Sequence, residues 1–145
     1  MNITAMIEIL LTNLNKTNFY EETLMSIEHI CDEYGIDQHF GTLSMANQMV
    51  CDYLESLDRF IVDVAFRIES DEVSFDYTMQ TGDFSRFSQN VNQENTGVYV
   101  LNLLADDISF STDYDTLTTT FHVKTKVVIQ REMRHQEVRK NVFHI

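Results

Sequence analysis

Two runs of strict alternation constrain this chain more than anything else in it. Phe60, Val62, Val64, Phe66 and Ile68 alternate with Ile61, Asp63, Ala65, Arg67 and Glu69. After Ser70-Asp71-Glu72, the residues Val73, Phe75, Tyr77 and Met79 alternate with Ser74, Asp76 and Thr78. A period of two puts successive side chains on opposite faces of a strand. The pair therefore predicts a hairpin with one apolar, buried face and one polar face, joined by a turn at residues 70–72.

The segments before the hairpin change period. Ile7, Ile9 and Leu11 alternate with Glu8, Leu10 and Thr12, which predicts a first strand within residues 1–13, with a helix as its competitor. Asn18-Phe19-Tyr20-Glu21 has the form of a capping box. Tyr20, Leu24, Ile27, Cys31 and Tyr34 then recur at helical spacing until Gly35 supplies a C′ stop. A second helix is predicted from Thr42 to Leu57, its stripe made by Leu43, Ala46, Val50, Tyr53, Leu54 and Leu57.

Beyond the hairpin, residues 80–96 are polar and aperiodic and read as a long loop, whose apolar anchors are Phe84, Phe87 and Val91. A short helix is predicted from Gly97 to Ala105. A second hairpin follows, with Ile108 and Phe110 facing Leu117, Thr119, Phe121 and Val123 across a turn at Asp113-Tyr114-Asp115. The chain has no proline and four glycines (Gly35, Gly41, Gly82, Gly97), so each glycine is expected to mark a required backbone geometry. The order strand, helix, helix, hairpin, loop, helix, hairpin predicts an α+β two-layer sandwich. Its sheet is expected to be mixed, mainly antiparallel, with about three helices on one face.

At 145 residues and 43% hydrophobic content, one domain with a real core is expected. The net charge of −13 argues against a nucleic-acid partner, which needs a basic surface to displace counterions. Charge is unevenly spread: residues 124–145 hold six bases and two acids. Within it, residues 127–145 are expected to dock on an acidic surface of the same chain or a second copy, or else to stay solvated or free for an acidic partner. The apolar runs are short and no signal-peptide pattern is visible, so the expectation is a cytoplasmic protein with no membrane partner. Cys31 and Cys51 read as free thiols. The five histidines are scattered, and no ligand spacing for a metal is present.

The stretch Gly97-Val98-Tyr99-Val100-Leu101-Asn102-Leu103-Leu104-Ala105-Asp106-Asp107-Ile108-Ser109-Phe110, the segment Glu33-Tyr34-Gly35-Ile36 and the element order together resemble the GHKL ATPases (histidine-kinase-like, or Bergerat, fold). The branch resembled is that of the anti-sigma-factor serine kinases. The resemblance covers residues 1–125, with 126–145 as a basic extension. It implies a nucleotide pocket built from three boxes. In the helix box, E-A-x-x-N, Asn47 stands where the Glu base is expected and Cys51 where the Mg²⁺-binding Asn is expected. A shift of one turn puts Asn47 on the Asn position and Leu43 on the Glu position. Neither register supplies a carboxylate, and a neutral thiol is a poor ligand for a hard cation.

The D-x-G box reads Gln80-Thr81-Gly82, so an amide oxygen replaces the carboxylate that accepts the adenine amino group. The G-x-G box reads Asn95-Thr96-Gly97, with its second glycine kept. The residues Asn47, Cys51, Gln80, Gly82, Asn95 and Gly97 thus outline a relic nucleotide pocket, altered at the chemical positions and kept at the structural ones. The bland reading is that the glycines serve turns alone. By resemblance, the implied function is a catalytically silent regulatory module that binds a sigma factor or a STAS-type antagonist, with no cofactor and with homodimerisation open. The alternative is an ATP- and Mg²⁺-using serine/threonine kinase with atypical boxes. A third reading is a different small molecule in a remodelled pocket.

Overall fold

A computed structural model of the chain describes residues 7–69, 71–81, 84, 103–116 and 118–127. Strand β1 spans Ile7–Leu14, helix α1 Phe19–Tyr34 and helix α2 Phe40–Glu55, with a 3₁₀ turn, Asp37–His39, between the helices. Strands β2 (Ile61–Glu69) and β3 (Glu72–Thr81) form the hairpin required by the alternation. Strands β4 (Asp107–Asp113) and β5 (Thr118–Lys126) form the second. The sheet order is β1-β2-β3-β5-β4. All four pairings are antiparallel, so the described strands make no mixed sheet. Two α-helices are present among the described residues. Of the long loop expected over residues 80–96, Gln80 and Thr81 instead end β3, and Phe84 is the other described residue; of the expected third helix, Leu103 and Leu104 are described and helical, and the rest lies outside the described residues.

Helix α1 ends as its sequence predicts. Gly35 adopts φ 66°, ψ 34°, a left-handed conformation that costs a residue with a Cβ about 1–2 kcal/mol. The Ile36 N–H then reaches back to the Cys31 carbonyl at 3.0 Å, and the Ile36 side chain is fully buried. The start of α1 differs from the expected capping box. The Asn18 carboxamide oxygen accepts the N–H of Asn15, and the Asn15 carbonyl accepts the Phe19 N–H at 2.9 Å. A tight turn from Asn15 to Asn18 has taken the side chain that would have capped the helix. Gly41 also departs from expectation. It lies inside α2, and a Cβ added there would meet nothing within 4 Å.

The helices cover one face of the sheet. Val62, Val64, Phe66 and Ile68 of β2, Val73, Phe75, Tyr77 and Met79 of β3, and Phe121 and Val123 of β5 form one buried cluster. Ile27 and Ile30 of α1 and Leu43, Val50 and Leu54 of α2 complete it. Each fully buried side chain of this size contributes about 1.5–3 kcal/mol. Phe84 links the layers, with its ring against Tyr53 of α2 and against Phe121 of β5, and its N–H on Thr119 Oγ1. Val127, one residue beyond β5, is buried and donates its N–H to the Asp71 carbonyl at 2.8 Å.

Candidate functional site

Asn47 is buried on α2, facing the sheet. The α2 spacing that buries Leu43, Ala46, Val50 and Leu54 also turns Asn47 inward, leaving it 1% exposed. A buried carboxamide has to find partners, and this one has them on both sides. Tyr77 on β3 donates its hydroxyl hydrogen to Asn47 Oδ1 at 2.8 Å. Asn47 Nδ2 donates to Thr23 Oγ1 on α1, also at 2.8 Å. The Thr23 hydroxyl, fully buried, donates to the Phe19 carbonyl at 2.8 Å. One directed chain of hydrogen bonds thus joins strand, second helix and first helix through the core.

Cys51 lies one turn further along α2 and is also buried. Burial first, and then the charges of Glu55 and Asp52, push its thiol up to about 11. Cys31 is likewise raised to about 11, by burial and then by Asp37. Both thiols are therefore protonated at neutral pH, and a protonated, buried thiol is inert. Burial also holds the Tyr77 phenol well above its ordinary value.

Gln80 lies elsewhere. It is exposed, and its Nε2 donates to Asp63 Oδ1 at 2.7 Å and to Asn13 Oδ1 at 3.2 Å. Asp63 Oδ1 also accepts the Asn13 N–H at 2.9 Å. Asn13 sits at φ 58°, where the β1 register shifts between Leu11 and Leu14. Asparagine tolerates this geometry better than most residues. Asp63 belongs to the sheet face opposite the helices, so the sheet separates Gln80 from Asn47 and Cys51. Gly82, Asn95 and Gly97 lie outside the described residues.

The open sheet face carries a feature that sequence reasoning missed. Arg67 on β2 bridges Glu8 on β1, at 2.8 Å, and Asp76 on β3. Asp76 in turn meets His122 Nδ1 on β5. The register explains the row: Glu8 is opposite Arg67, and Asp76 is opposite His122. Burial alone would lower the Arg67 pKa, but the hydrogen bond and charge of Asp76, then those of Glu8, outweigh it and raise it. The ladder runs through a groove of about 600 Å³, lined also by Leu10, Ala65, Thr78, Thr120, Ser109 and Ser111. Its signal in the sequence was the set of charged residues on the polar parity of the strands. Nothing short of the register shows that they align.

Among the described residues, no group of three His, Cys, Asp or Glu side chains is arranged to hold a metal ion. No described helix is long and apolar enough to cross a membrane. No protein-family model matches the chain, and no curated protein matches it.

Proposed function

We propose that the chain is a regulatory module of the anti-sigma type that binds a protein partner and does not hydrolyse ATP. The observation that carries this reading is the commitment of Asn47. Its oxygen is taken by Tyr77 and its nitrogen by Thr23, in a region closed to solvent. A Mg²⁺ ion needs oxygen ligands and keeps several waters, which this packing does not offer. Cys51, protonated and buried, adds no oxygen ligand, and Gln80 belongs to the other side of the sheet. The Bergerat identity of the fold is part of the same proposal. It is supported by the order of strand, two helices and two hairpins, with the helices on one sheet face. A cytoplasmic location also belongs to it, and two free thiols fit a reducing compartment.

By resemblance, the partner class is a sigma factor or a STAS-type antagonist. Calorimetric titration of the full chain with purified sigma factors and STAS proteins of the same organism tests this. Saturable binding to one of them, unchanged by added ATP, supports the reading. No binding to any of them, or binding that requires ATP, contradicts it.

A further inference from the structure

We infer that strand β1 is a docking edge for a second copy of this chain, the two β1 strands pairing antiparallel about a two-fold axis at Leu10. This inference is independent of the regulatory reading, since it concerns the chain with no partner but itself. The sheet order puts β1 at one edge, and among the described residues it pairs with β2 alone. An edge strand presents a row of backbone N–H and C=O groups ready to pair with another chain, and natural edges are blunted by charge, lysine above all, by proline or by a bulge. Ile7–Leu14 holds no lysine and no proline, and its one charge, Glu8, is already bridged to Arg67 at 2.8 Å. The register shift between Leu11 and Leu14, with Asn13 at φ 58°, bends only the C-terminal end of the strand.

The side chains of β1 are apolar on both faces of the sheet. Ile9 and Leu11 lie on the helix side and pack against the core, yet both are only half-buried. Leu10 lies on the open face, opposite Ala65, and is 63% exposed. A second β1 laid beside the first would cover all three. The other edge of the sheet is built differently. Strand β4 carries Asp107 and Asp113 at its ends and Ser109 and Ser111 between them on the same face. Its large apolar residues, Ile108 and Phe110, pack against the core. One edge is thus guarded by charge and the other is not.

Symmetry and sequence select the occupant and its register. Pairing β1 with β4 of another copy would run head to tail and propagate, whereas β1 with β1 closes as an isologous dimer. Opposed residues in an antiparallel sheet share a face, so the two-fold axis passes between two copies of one residue. At Leu10 it sets Leu10 against Leu10, Ile9 against Leu11 and Glu8 against Thr12. Apolar groups then meet on both faces, and the two carboxylates stay apart. Centring on Ile9 would set Glu8 against Leu10, and centring on Leu11 would carry Glu8 past the bulge to Leu14. The net charge of −13 on each copy opposes association, so the contact belongs to physiological salt, where the Debye length is about 8 Å.

Crosslinking and solution mass test this edge together, on the full chain at physiological salt. Opposed Cα atoms of an antiparallel pair are about 4.5–5.5 Å apart, within reach of a disulfide. Cys31 and Cys51 are buried and protonated and do not compete. Under mild oxidation Leu10→Cys should therefore form a covalent dimer. Thr12→Cys should not, because in this register its two copies lie four residues apart along the strands, about 14 Å. Light scattering of the parent chain should give twice the mass of one copy. Leu10→Lys should raise the dimer dissociation constant by about tenfold or more, since two ammonium groups then meet at the axis. Ser111→Lys, on the opposite edge, should leave the dimer as it is. A parent chain that stays monomeric at millimolar concentration overturns the inference. So does a dimer that Leu10→Lys leaves intact or Ser111→Lys abolishes, or crosslinking of Thr12→Cys as fast as that of Leu10→Cys. If Leu10→Lys does not fold, the comparison of Leu10→Cys with Thr12→Cys decides alone.

Discussion

Tyr77 and Asn47, on β3 and α2, meet through a 2.8 Å hydrogen bond in a region where both side chains are at most 1% exposed. Truncating one partner strands the other without water. Asn47→Ala orphans the Tyr77 hydroxyl and opens a small cavity, so it should cost about 2–4 kcal/mol. Tyr77→Phe removes only the donor and should cost about 1–2 kcal/mol. Urea unfolding measures both. The double variant should cost less than the sum of the two, because the shared bond is lost once. Losses below about 0.5 kcal/mol would deny the chain its structural role.

The Glu8–Arg67–Asp76–His122 row should matter less than its length suggests. Its side chains are 20–35% exposed, so solvent screens them. Asp76→Asn removes the carboxylate shared by Arg67 and His122 and should cost on the order of 1 kcal/mol at low salt. The loss should shrink in 1 M salt, where the Debye length is about 3 Å. A loss that does not change with salt would mean that packing, not charge, is what Asp76 supplies.

Two glycines should respond in opposite directions. Gly35→Ala forces a Cβ into the left-handed region at φ 66° and should destabilise by about 1–2 kcal/mol. Gly41→Ala places a methyl in open space on helix α2 and should stabilise by about 0.5–1 kcal/mol. Thermal unfolding of the two variants checks the signs.

Alkaline pH should loosen the fold through the cysteines. Both thiols titrate at 9.0 when free and at about 11 in the folded chain. Between those values the unfolded chain has released protons that the native chain still holds, so stability falls as pH rises. The loss is at most about 3 kcal/mol per thiol across pH 9 to 11, and none of it operates below pH 8. Tyr77, also raised, acts in the same direction above pH 10. Replacing Cys31 and Cys51 by alanine should flatten the decline between pH 9 and 10 in urea titrations.

The alternation in residues 60–79 settled the first hairpin, because period two admits one pairing face and one turn. Gly35 likewise revealed its geometry, since little else ends a helix that way. The Asn18 cap failed because Asn15 competes for the same side chain, a local contest that spacing does not decide. The outcome at Asn47 was less legible still. Helical period turns it inward, but only the opposing Thr23 and Tyr77 show that its amide is already engaged. The charged row across the open face depends on strands far apart in sequence, such as β1 with β2 and β3 with β5, and on their register.

On the proposed function, the core around Asn47 is closed and takes no nucleotide. Differential scanning fluorimetry of the full chain with millimolar ATP and Mg²⁺, beside Asn47→Ala, tests it most directly. The midpoint of the parent chain should stay unchanged on adding nucleotide, and that of Asn47→Ala should lie several degrees lower whether or not nucleotide is present. A midpoint that rises with Mg-ATP concentration in the parent chain, and not in Asn47→Ala, would mean that Asn47 belongs to a working nucleotide site, because a ligand that binds only the folded state must stabilise it.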